Sequence, residues 1–95
     1  MIKGTTKNGF AFEIDESIGG DFRVVEAIAD ADSDDASAQL RGTVNLVRLL
    51  LGEDGKKRLY RHLAAKNGTV PSSEVIATAT EILQIARERS KEVKN

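Results

Sequence analysis

His62 is the one imidazole in this 95-residue chain and the first place to look for proton transfer. A catalytic histidine needs an orienting carboxylate and a nucleophile beside it. His62 falls between Arg61 and Leu63 on a basic helix flank, and its neighbours in sequence supply neither. With no cysteine, thiol catalysis, disulfides and thiolate metal sites are excluded. Asp30, Asp32, Asp34 and Asp35 have the density of acids that a calcium loop uses. Such a loop wants glycine at its sixth position and glutamate at its twelfth. Counted from Asp30, those positions hold Asp35 and Arg41, so the segment reads as a solvated loop with a helix cap. Gly52-Glu53-Asp54-Gly55-Lys56-Lys57 lacks the spacing of a phosphate loop and follows a helix rather than a strand. Lys56, Lys57, Arg58 and Arg61 lie beside Tyr60 and could meet a phosphate backbone. In a chain of net charge −1, four bases on one flank read instead as a solvated face. The sequence therefore predicts no enzyme, cofactor, metal site or nucleic-acid partner.

The elements that would carry these residues follow from periodicity. Forty per cent hydrophobic and 31% charged is a globular balance, and 95 residues suit a single domain, 1–95. Only Phe10, Phe12, Phe22 and Tyr60 are aromatic, so the core must be aliphatic. Residues 1–15 read as a β-hairpin, with Phe10, Phe12 and Ile14 alternating with Ala11 and Glu13. A two-residue turn at Asn8-Gly9 would put lysine on the apolar face. A three-residue turn, Lys7-Asn8-Gly9, pairs Ile14 with Ile2, Phe12 with Gly4 and Phe10 with Thr6, and sets Lys3 against Glu13. A lone hairpin is marginal in water, so its apolar face needs a cover.

Residues 21–91 read as helical. Gly19-Gly20 breaks the chain, and Asp21 caps a short helix on which Phe22, Val25 and Ala29 share a face, with Val24 and Ile28 beside them. A second helix spans 36–51, capped by Asp34 or Asp35 and ended by Gly52. A third covers about 54–66, with Leu59, Tyr60, Leu63 and Ala64 inward. The last opens at Pro71 or Ser72 and runs to about Lys91, leaving 92–95 as a frayed tail. The expected fold class is α+β and mostly α: an N-terminal β-hairpin followed by three to four helices packed as a small bundle.

Two features of the surface point to protein partners. On the second helix Leu40, Val44, Val47 and Leu51 form one stripe, and Leu46, Leu49 and Leu50 form a second arc. On the last helix Val75, Ile76, Ala79, Ile82, Leu83 and Ala86 share a face, with Ile85 opposite. So small a domain cannot easily cover all of them, and Leu46, Leu49, Leu50 and Ile85 are the expected partner-binding residues. Charge is also divided: residues 1–55 hold 11 acids and 5 bases, residues 56–95 hold 4 acids and 9 bases. Opposed halves suit head-to-tail self-association. Apolar runs such as Leu49–Leu51 are far too short to span a membrane, and Met1-Ile2-Lys3-Gly4-Thr5 has no apolar signal region, so a cytosolic location without membrane contact is expected.

Several segments together resemble the small tail assembly chaperones of long-tailed bacteriophages (siphophages) of Gram-positive bacteria. They are Ile2-Lys3-Gly4-Thr5, Gly9-Phe10-Ala11-Phe12-Glu13-Ile14-Asp15, Leu49-Leu50-Leu51-Gly52 and Asn67-Gly68-Thr69-Val70-Pro71. That family often has an acid between the two phenylalanines, where this chain has Ala11. The resemblance implies a chaperone that binds the tape measure protein in the host cytoplasm and keeps it soluble. It would leave as tail tube subunits polymerise, with the tail tube protein a further candidate partner, and be absent from the mature virion. The other readings are a structural tail or connector protein and a small helical DNA-binding regulator.

Overall fold

In the computed structural model, which describes residues 1–94 and the side chains of 1–89, the Lys7-Asn8-Gly9 turn sets the hairpin. Gly9 has φ +86°, its N–H donates to the Thr6 carbonyl at 2.9 Å, and the Thr6 N–H donates to the Phe10 carbonyl at 2.9 Å. Strands β1 (Ile2–Thr5) and β2 (Ala11–Ile14) pair antiparallel, Ile2 with Ile14, Lys3 with Glu13 and Gly4 with Phe12. This is the register that keeps both faces consistent. Ile2, Phe10, Phe12 and Ile14 are all buried, while Lys3 and Glu13 meet as an exposed ion pair at 3.5 Å. The Phe12 ring lies across Gly4, where a Cβ would fall 2.8 Å from it.

A 3-10 turn, Glu16–Gly20, leads into α1 (Phe22–Ala31). Asp15 caps the first by accepting from the Ser17 N–H, and Asp21 caps the second by accepting from the Arg23 N–H, both at 2.9 Å. The buried face of α1 is Val24 and Ala27, so the expected shared face of Phe22, Val25 and Ala29 points outward. The cause is close packing on Gly42. A Cβ there would fall 2.3 Å from the Ala31 nitrogen and 2.7 Å from the Ala27 carbonyl oxygen, so the α1 backbone rests directly on the glycine.

Helix α2 (Ala36–Asn67) begins at Asp35, whose carboxylate accepts from the Ala38 N–H at 3.0 Å, and ends at left-handed Gly68. It contains the expected break. Gly52 has φ 74° and ψ 174°, a conformation essentially reserved for glycine. The chain turns there so that Tyr60 of the second arm lines the same cleft as Leu40, Thr43 and Val44 of the first. Glu53 braces the corner, meeting Arg48 at 2.7 Å and Lys56 at 3.4 Å. Its carboxyl is held below the usual range by the Arg48 hydrogen bond first and the Lys56 contact second.

Helix α3 (Ser72–Lys94) starts after Pro71, whose carbonyl accepts from the Val75 N–H at 3.2 Å. The helix continues past the expected stop at Lys91, and Asn95, the last residue of the expected frayed tail, lies outside the described residues. Three helices thus follow the hairpin. One core joins them to it: Leu59 and Leu63 from α2 and Ile82 from α3 are fully buried in the same cluster as Phe10, Phe12 and Ile14. The hairpin's cover comes from its own chain.

Candidate interaction surface

The residues with chemical potential are used as structure. His62 Nε2 lies 2.9 Å from the Asn8 carbonyl oxygen. A carbonyl only accepts, so the ring donates from Nε2. The same ring leans on Phe10, centroids 5.7 Å apart. Lys66 donates to the Asn8 carbonyl as well, at 3.3 Å. Arg58 lies over the Phe10 ring at 5.1 Å and donates to the Ala11 carbonyl at 3.2 Å, so one member of the basic run is held against the hairpin. The aspartate cluster divides between helix ends: Asp32 closes α1 and Asp35 opens α2.

The hairpin turn has a second set of partners, on α3. The Asn8 side-chain amide donates to the buried Thr78 hydroxyl at 2.9 Å and approaches Glu74 at 3.4 Å. The Lys7 N–H donates to the Glu81 carboxylate, 3.0 Å from its nearer oxygen. Inside the turn, Asn8 Oδ1 accepts from the Thr6 hydroxyl and the Phe10 N–H. Helices α2 and α3 therefore grip the turn from two sides. Thr6, Glu74, Thr78 and Glu81 lie about seventy residues apart in two groups, and no local pattern links them. Among the described residues no buried side-chain polar atom lacks a partner.

The surplus apolar surface is real but lies elsewhere than expected. Leu46 and Leu50 are core residues, 6% and 4% exposed. Leu49 and Ile85 are half-buried and packed against the core. The structure brings none of the four to an open surface. The second arc of the first α2 arm faces inward because α1 packs over Gly42, which turns Leu46 and Leu50 under it and swings Leu40 out. Leu40 is 64% exposed, and on α3 Ile76, expected inward, is 45% exposed. These two are the lips of a cleft of about 390 Å³ between the arms of α2 and the start of α3. Tyr60, Val44, Val70 and Val75 line it. A second apolar patch, Phe22 and Val25, stands on the outer face of α1, 75% and 46% exposed.

Gln39, Thr43 and Ser72 add polar groups to the cleft's otherwise mostly apolar lining. Among the described residues no group of three or more His, Asp or Glu is placed to hold a metal ion, and no helix is long and apolar enough to cross a membrane. Comparison with family models, with curated proteins and with solved structures finds no match for this chain.

Proposed function

We propose that this chain is a binding protein rather than an enzyme, and that it holds an apolar helical segment of a partner in the cleft between Leu40 and Ile76. The observation that carries this reading is the cleft itself: two large aliphatic side chains left open on a domain whose other leucines are buried or packed against its core. Exposed apolar side chains rimming a concave surface mark partner sites, and grooves of this kind take helices through anchors at helical spacing. The partner follows from the sequence resemblance to tail assembly chaperones: the tape measure protein, a long helical molecule in need of a cover before the tail tube surrounds it. The working place is then the host cytoplasm, the tail tube protein is a second partner met on release, and the mature particle lacks the chain.

Such a complex must come apart. Four aliphatic contacts at about 1 kcal/mol each change affinity several hundredfold at about 1.4 kcal/mol per tenfold, enough for capture and compatible with release. Co-expression with a siphophage tape measure protein tests the reading. The expected result is a soluble complex that copurifies, with no trace of the chain in purified particles by immunoblot. An insoluble client alone, or the chain recovered in mature particles, contradicts it.

A further inference from the structure

The second arm of α2 carries charge that the fold leaves uncompensated. Residues 56–66 hold five bases and no acid. Lys56 meets Glu53, but among the described residues Lys57, Arg58, Arg61 and Lys66 form no ion pair. Arg58 is already held in place: its guanidinium lies 5.1 Å from the Phe10 ring centre and donates to the Ala11 carbonyl at 3.2 Å. Neither partner cancels its charge, and further N–H donors of the group stay open. Arg61 follows one turn on and is exposed. The two arginines, with His62 and residues 9–11 of the hairpin, wall an open hollow of about 590 Å³ between this arm and the hairpin. Guanidinium groups at the wall of a hollow suit carboxylates, which arginine can take through two N–H bonds at a time.

Matching carboxylates are carried by the chain itself. Asp30, Asp32 and Asp34 are exposed where α1 passes into α2, and among the described residues none of the three is in an ion pair. The fold holds them away from the hollow of their own molecule. The end of α1 is seated on Gly42, on the arm of α2 before the Gly52 corner, whereas the hollow lies on the arm after it. From the uncompensated arginines of the hollow and the unpaired carboxylates of the connection we infer that the 30–35 segment of one copy docks in the hollow of the next. A phosphate backbone is the poorer occupant, because the chain has a net charge of −1 and the same acidic connection would repel it. The contact joins two different faces, so it repeats head-to-tail. It lies apart from the cleft between Leu40 and Ile76, so the client reading stands or falls without it.

Sedimentation velocity of the full chain at about 50 mM and about 500 mM salt tests this. Exposed charge pairs are individually weak, so the chain is followed up to about 1 mM. The samples are the wild type, Lys57→Gln with Arg61→Gln, and Asp32→Asn with Asp34→Asn. All four side chains are exposed, so both variants should keep the helical circular dichroism signal. Arg61→Gln alone and Asp34→Asn alone serve if either fails to fold. The wild type should form species larger than dimers, and its dissociation constant should rise at least about tenfold at the higher salt, where charges are screened within a few ångströms. Each variant alone should be monomeric. Their equimolar mixture should form a dimer and stop, because one variant keeps its carboxylates and the other keeps its hollow. A chain with both sets reversed, Lys57→Glu and Arg61→Glu together with Asp32→Lys and Asp34→Lys, should assemble again. A monomeric wild type, assembly by either variant alone, or a mixture that stays monomeric overturns the inference. A monomeric wild type that retards a short DNA duplex, and loses this with Lys57→Gln and Arg61→Gln, overturns it in favour of nucleic acid.

Discussion

Gly42 shows how one missing side chain orients half the molecule. Its place in α2 is buried against the α1 backbone, and a methyl group there would overlap the Ala31 nitrogen at 2.3 Å. Backbone cannot rotate aside as a side chain can, so Gly42→Ala should force the helices apart. Overpacking of this kind costs about 1–3 kcal/mol or more, against a total stability of about 5–15 kcal/mol. Urea titration should show the midpoint fall with the slope little changed. Leu46→Asp is a sharper case. Leu46 is a core side chain, and a carboxylate placed among aliphatic core side chains is severely destabilising. The expected outcome is loss of the helical circular dichroism signal at 25 °C. A folded Leu46→Asp would mean that the second arc of α2 faces solvent after all. Composition could not choose between the two arcs of this helix, because both are apolar. What chose was contact with α1 through Gly42, a residue with no hydrophobic signature.

Among the elements, the hairpin was the most legible and the reason is physical. Period two on both faces, an Asn-Gly pair and a Lys3–Glu13 partnership all require one register, and a slip of one residue spoils each. Gly9→Val should destabilise it through φ alone. A Cβ there meets nothing nearer than His62 at 3.9 Å, so space is available while the positive φ of +86° is not. Thermal unfolding should shift down by roughly 4–8 °C per kcal/mol lost in a domain of this size. The helix starts at Asp21 and Asp35 and the breaks at Gly52 and Gly68 could also be read, since caps are local chemistry. The grip of α2 and α3 on the turn could not, because it depends on residues distant in sequence. The caps also give a pH dependence. Asp15 is held below its ordinary value by the Ser17 backbone and hydroxyl hydrogen bonds, and Asp21 by the Arg23 side chain first and its N–H second. Glu53 is lowered likewise. Carboxyls lowered in the folded state stabilise it fully above the ordinary carboxylate range, and that contribution is lost as pH falls through and below it. Melting temperature should therefore hold from pH 7 to about 5 and decline below, where carboxylates titrate. Asp21→Asn should lower the neutral plateau and flatten part of the acid decline. An acid limb unchanged by that substitution would contradict the assignment.

At the scale of the whole molecule, one core serves the hairpin and the helices, and the apolar surface left over is divided between a concave and a convex patch. A surplus of apolar side chains could be read from the sequence, but which of them stay exposed could not, because exposure is a property of the packed molecule. Replacing Leu40 and Ile76 together by aspartate changes two exposed positions, and surface changes of this kind cost about 0.5 kcal/mol or less each. The double variant should stay folded, with a melting temperature within roughly 8 °C of the wild type. The decisive measurement is the soluble fraction of the proposed client, a tape measure protein, when co-expressed with this variant, beside the wild type and an empty control. A folded variant that leaves the client as insoluble as the empty control is the expected result. A folded variant that keeps the client as soluble as the wild type does would contradict the claim that this cleft binds it.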